Sequence, residues 1–169
     1  MQLNTVQRAG LAGAVAAGLG LVTALVAESW FGLVPCALCL LERWPYRVAI
    51  LCGALAAASP RGARLLVFVA GLAMLAGTGL AGVHVGVEQG WWPSPLPECA
   101  APNLGGATVA ERLARMPAVP AKPCDEPTYL VPGLPVSMAA MNGGLSALLG
   151  LGLTALAARD KLAALRLRR

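Results

Sequence analysis

Cys36 and Cys39 are separated by two residues, and Arg43 follows one helical turn after Cys39. A second pair, Cys99 and Cys124, lies further along the chain. Such thiols suit electron transfer, because one dithiol can exchange with another and pass two electrons to an acceptor. A Cys-x-x-Cys pair also opens many zinc sites, but tetrahedral zinc wants two more Cys or His ligands at compact spacing. The single histidine, His84, lies on a different apolar segment, and recruiting Cys99 and Cys124 requires the loop to fold back. The pattern therefore argues against a resident metal. A structural staple suits Cys99 and Cys124, whose loop closure stabilises by about 3 to 4 kcal/mol on the chain-entropy model. It suits Cys36 and Cys39 poorly, since so short a loop gains little entropy and a strained disulfide is easily reduced. Cys52, inside an apolar stretch, reads as a small core residue.

A helix beginning near Pro35 places the positive end of its dipole under Cys36, which favours a thiolate there. Cys36, Cys39 and Arg43 then fall at i, i+3 and i+7, on one face. Arg43 stays charged and offers several donors, so it can stabilise a thiolate or an oxyanion beside Cys39. The competing reading pairs Arg43 with Glu42 or a lipid phosphate. Pro45 is expected to kink this helix just below the charged cluster and open space for a ligand. His84 and Glu88 share a helical face four residues apart. A lone membrane histidine serves equally as a helix-to-helix hydrogen-bond partner or as a proton carrier.

The elements holding these residues belong in a bilayer. The 169 residues are 57% hydrophobic and only 12% charged, too apolar for a soluble domain. Ala9–Ala27 and Val136–Ala158 carry no charge, and Leu65–Val87 carries only His84. Each is long enough for a hydrocarbon core of about 30 Å. Val48–Ser59 is too short alone and must extend back through the Cys36–Arg47 region, which puts Glu42, Arg43 and Arg47 in the outer half of a span. Charges there are costly and read as functional; for Arg47, snorkelling to the interface is an equal alternative. The expected architecture is an all-α integral membrane protein, a single membrane domain over 1–169. Its four-transmembrane-helix bundle has spans at about 9–30, 40–59, 65–87 and 136–158.

Arg8, Arg61, Arg64, Arg159, Lys161, Arg166, Arg168 and Arg169 flank the spans on one side, while seven of the eight acids fall on the other. The positive-inside rule puts both termini in the cytoplasm, and Trp30, Trp44, Trp91 and Trp92 then sit at the external interface. The first span exceeds a signal-peptide apolar core of roughly 7 to 15 residues and reads as retained. One long external loop, about 88–135, joins helices 3 and 4. Within it, Thr108 and Glu111 form a capping-box pattern that predicts a short helix over 108–116. Val109, Leu113 and Met116 share a face opposite Arg112 and Arg115, which fits a helix on the membrane surface or one packed on the protein.

Pro35-Cys36-Ala37-Leu38-Cys39-Leu40-Leu41-Glu42-Arg43, the stretch Val87-Glu88-Gln89-Gly90-Trp91-Trp92-Pro93-Ser94-Pro95 before Cys99, and Ser137-Met138-Ala139 resemble the bacterial DsbB family. The resemblance covers nearly the whole chain. It implies a thiol:quinone oxidoreductase of the inner membrane that reoxidises a periplasmic thioredoxin-fold oxidase (DsbA-like) and reduces a quinone, either ubiquinone or menaquinone. Cys99 would take the partner's thiolate attack, Cys124 would pass electrons to Cys36, and Cys39 would face the quinone as a thiolate. Arg43 would contact the quinone oxygen, with Glu42 and His84 as further candidate quinone-site residues. Partners would be that oxidase, lipid and quinone, with no nucleic acid. Some members carry a histidine after the glutamate that follows the third span; here that position is Gln89. A disulfide-stapled scaffold or binding subunit, and a relative serving one dedicated partner, are the competing readings.

Overall fold

The computed structural model describes residues 3–99, 108–114, 122–131 and 133–166. Among them helix is the only regular structure, with no strand. The helices are α1 (Thr5–Ser29), α2 (Ala37–Leu41), α3 (Arg43–Ala58), α4 (Ala63–Glu88), α5 (Val109–Ala114) and α6 (Met138–Arg166). A 3-10 turn occupies Pro97–Cys99.

Asn4 and Gln7 start α1 by exchanging backbone-to-side-chain hydrogen bonds at 2.8 and 3.1 Å, a reciprocal cap. Gln7 also donates to the Ala57 carbonyl at 2.9 Å, pinning the start of α1 to the end of α3. The two helices therefore run antiparallel and cross closely. A Cβ added at Gly53 would lie 2.4 Å from the Gly10 carbonyl oxygen, so this crossing requires glycine. Where α4 and α6 pack, small residues again meet, Gly71 against Thr154 and Gly143 against Ala81. The buried core joins Ala17, Tyr46, Ala49, Ala56, Val67, Met74 and Leu153.

Three helical stretches are long and apolar enough to cross a membrane: Thr5–Ser29, Ala63–Glu88 and Met138–Arg159. Their outward faces remain apolar, with Leu19, Leu65 and Leu148 each more than 60% exposed. In water such surfaces would be costly; in lipid they are the solvent-facing side. α3 has 16 residues and so reaches only about 24 Å at 1.5 Å per residue. The chain extends back from it as foreseen, but α2 and α3 are separate helices with Glu42 between them.

Of the region after α4, residues 100–107, 115–121 and 132 fall outside the described residues, and with them Arg115 and Met116. Thr108 and Glu111 do form the reciprocal cap, with bonds of 3.3 and 3.4 Å, at the start of α5. Nearer the membrane helices, Met138 donates its N–H to the Thr128 carbonyl at 2.8 Å, tying the described end of this region to the start of α6.

Candidate redox site

Cys36 is the N-cap of α2. Its sulfur accepts the Cys39 backbone N–H at 3.2 Å, and Pro35 precedes the cap instead of occupying the first turn. The helix breaks at Glu42, inside the charged cluster and not below it. Pro45 has no N–H to give the Leu41 carbonyl, so the hydrogen-bond ladder cannot continue through that point. Cys39 and Arg43 line one cavity, whereas Cys36 does not. Cys36 turns into a buried cluster with Leu38, Val87, Cys99 and Cys124. Cys36 and Cys39 stay together on the same short helix, their sulfurs 2.8 Å apart, and Cys39 touches both this cluster and the cavity that Arg43 lines.

Cys99 and Cys124 form a disulfide, both residues buried. Cys36 and Cys39 are free thiols with sulfurs 2.8 Å apart, so forming a bond of about 2.05 Å requires an approach of only about 0.75 Å. Both lie outside the three helices able to cross a membrane. The Cys39 thiol donating to the Cys36 sulfur lowers the Cys36 pKa, with the Cys39 backbone N–H adding to the effect against burial. The same bond, with burial, pushes the Cys39 thiol up. In this dithiol state the proton therefore stays on Cys39, and Cys36 is the sulfur disposed to be a thiolate.

His84 stands behind the pair, not in the cavity. Its Nε2 lies 3.4 Å from the Cys36 sulfur and 4.0 Å from Glu88 Oε1, and its Nδ1 is 2.8 Å from Glu42 Oε1. The other Glu42 oxygen accepts from the Asn142 amide at 2.6 Å. Asn142 in turn accepts from the Tyr46 hydroxyl, which lies 3.2 Å from the Ser146 hydroxyl. Glu88 accepts from the Ser137 hydroxyl. Among the described residues, every buried side-chain nitrogen and oxygen has a partner, as a low-dielectric interior demands. Arg43 pairs with Glu28 at 2.8 Å and not with Glu42. Arg47 lies 5.0 Å from the Trp44 ring centroid, a cation–π contact. Gln89 is exposed at the end of α4.

The cavity is about 270 Å³ and lies between α1, α3 and α6. Leu21, Ala24, Leu33, Val34, Leu130, Met138 and Leu145 make its walls apolar, and Cys39, Glu42, Arg43, Tyr46 and Asn142 supply polar groups. An apolar chamber with a few convergent donors is the form of a small-molecule site. Sequence reasoning missed Glu28, Tyr46, Asn142 and Ser146. Asn142 and Ser146 had a legible signal: polar residues four apart in a charge-free span face one side and seek partners. Nothing in the sequence alone pairs Glu28 with Arg43.

An all-helical chain with membrane-length helices, a buried dithiol and a disulfide packed against it belongs to the class of membrane thiol–disulfide oxidoreductases. The family model for disulfide bond formation protein DsbB matches residues 6–156. The chain belongs to the DsbB family and hence to the machinery of disulfide formation, a family that works with quinones. No curated protein and no solved structure gives a significant match.

Proposed function

We propose that this protein is a thiol:quinone oxidoreductase of the inner membrane that reoxidises a periplasmic DsbA-like dithiol oxidase. In this reading four helices span the bilayer, the second over about 40–59, with both termini cytoplasmic and the segment between α4 and α6 periplasmic. The observation that carries the reading is the position of the Cys36–Cys39 pair. One sulfur packs with the Cys99–Cys124 disulfide and the other opens on an apolar cavity beside Arg43.

The redox states fit one point in the cycle. A reduced partner opens Cys99–Cys124, and internal exchange then restores that disulfide while leaving Cys36 and Cys39 as thiols. That exchange would leave the loop disulfide closed and the inner pair as thiols, which is the cysteine arrangement described above. Because Cys99 is buried, the partner's thiolate reaches it only when the Pro97–Cys99 turn lifts away from Cys36.

The cavity's apolar walls and single cation suit a quinone ring. A bound quinone supplies a two-electron, two-proton acceptor. Arg43 holds positive charge where an acceptor oxygen gains electron density, and Glu28 fixes the guanidinium. As Cys36 and Cys39 join in a disulfide, the pair would give up two electrons and the Cys39 proton to that acceptor, whose second proton would come from its surroundings. His84 positions Cys36 and takes up a proton on the side away from the cavity, while Glu42 lines the cavity and holds the His84 ring.

Turnover with a reduced thioredoxin-fold partner and quinone, followed as quinol formation, tests the proposal. Cys36→Ser, Cys39→Ser and Cys99→Ser should each abolish it, and Arg43→His should raise the quinone KM. Undiminished turnover in the Cys36 or Cys39 variants would sink the reading.

A further inference from the structure

The sequence places the histidine on a different helix from the Cys-x-x-Cys pair, but the fold brings them together. The sulfurs of Cys36 and Cys39 and a nitrogen of His84 all lie within 4.8 Å of one another. We propose that the reduced Cys36–Cys39 pair and His84 bind a soft divalent cation of the zinc class, which holds the pair as a dithiolate and stops turnover.

Three observations support a built site. First, tetrahedral zinc with Zn–S of about 2.3 Å and Zn–N of about 2.0 to 2.1 Å needs sulfur and nitrogen about 3.5 Å apart. Cys36 Sγ and His84 Nε2 are 3.4 Å apart. Second, the ring is already oriented for ligation. Nδ1 is bonded to Glu42, which Asn142 fixes from the other side, so Nε2 is the nitrogen that points at the sulfurs. A carboxylate behind a ligating histidine is the usual outer support of a zinc site. Third, a fourth oxygen is at hand, since Glu88 Oε1 lies 4.0 Å from the same Nε2 and Ser137 holds the other Glu88 oxygen. Thiolate donors select soft metals over magnesium or calcium.

The metal and the disulfide demand opposite movements. Two zinc-bound thiolates sit about 3.7 Å apart by the same bond lengths, while a disulfide needs about 2.05 Å. The sulfurs at 2.8 Å lie between these states. Binding releases the thiol protons and moves no electrons, so metal and electron acceptor compete for one dithiol. The site needs only the reduced pair; the inhibition rests on the oxidase reading above.

The test uses full-length protein in detergent with Cys99→Ser and Cys124→Ser, which removes the loop thiols. The reduced protein is titrated anaerobically with cobalt(II) and then zinc(II). One cobalt per chain is expected, with thiolate-to-cobalt charge-transfer and tetrahedral ligand-field bands that zinc displaces. His84→Gln should weaken binding at least about tenfold, and Glu42→Gln about tenfold or more, in line with outer-support losses. In the protein with native side chains at 36, 39 and 84, zinc should protect Cys36 from alkylation, and prior oxidation of the pair should abolish binding. Cobalt without charge-transfer bands, binding unchanged by His84→Gln, or binding to oxidised protein would overturn the site. If zinc binds but quinol formation by the intact chain is unaffected, the inhibition is wrong. If no quinol forms even without zinc, the oxidase reading fails while the metal site stands.

Discussion

At the scale of residues, the site is governed by how protons and charges are shared in a dry interior. The Cys36 sulfur accepts the Cys39 backbone N–H and lies 2.8 Å from the Cys39 sulfur, the contact that does most to lower the Cys36 pKa. Alkylation follows the thiolate fraction, and a lowered pKa means that fraction saturates at lower pH. The Cys36 rate should therefore plateau below the pH expected of a free thiol, while Cys39 stays slow. Removing the donor in Cys39→Ala should move the Cys36 profile to higher pH, and an unmoved profile would show that the shared proton is not the cause. Asn142→Leu leaves one oxygen of the buried Glu42 carboxylate without its donor, which costs about 1 to 3 kcal/mol. Thermal unfolding in detergent should register that loss. Glu28→Gln should change stability by less than about 1 kcal/mol, because the Glu28 side chain is 41% exposed. The two cysteine pairs were legible because their spacing carries the signal. The partners of Arg43 and Glu42 were not, because they come from α1 and α6 and depend on how helices cross.

Among the elements, the decisive feature is the break between α2 and α3. Cys-x-x-Cys at helical spacing puts both sulfurs on one side of an ideal helix, yet the missing N–H of Pro45 ends the ladder at Leu41. The short α2 keeps the Cys36 and Cys39 sulfurs 2.8 Å apart, with Cys39 alone reaching the cavity. The need for an interruption was readable from Pro45; its location was expected one turn too late. Close crossing is the second constraint. Gly53→Ala pushes a Cβ to 2.4 Å from the Gly10 carbonyl, an overpacking that costs about 1 to 3 kcal/mol. Gly79→Ala is the control, since nothing lies within 4 Å of its Cβ position, and alanine gains up to about 1 kcal/mol in a helix. Equal stability of the two variants would contradict the crossing described for α1 and α3. Near the site, Trp92 packs on Gly86 and donates to the Val83 carbonyl at 3.1 Å. That contact turns the chain back over α4 on its way to Cys99, which spacing between motifs does not reveal.

For the whole molecule, hydropathy made the helical membrane class and three long apolar helices plain, while the fourth segment is 16 residues and polar at its start. Sidedness is the property on which the proposed function depends. Single cysteines at Arg61 and Trp91 in a background lacking the native cysteines should report it. A membrane-impermeant maleimide applied from the periplasmic face should label position 91 alone, and labelling at 61 would invert the topology. The central claim is that electrons leave the inner pair for a quinone at the cavity. Its most direct measurement is one anaerobic turnover of purified protein carrying the loop disulfide and a reduced Cys36–Cys39 pair, with quinone added and no partner present. The account predicts one quinol per chain with loss of the Cys36 and Cys39 thiols. Thiols that persist while quinone stays oxidised would contradict it.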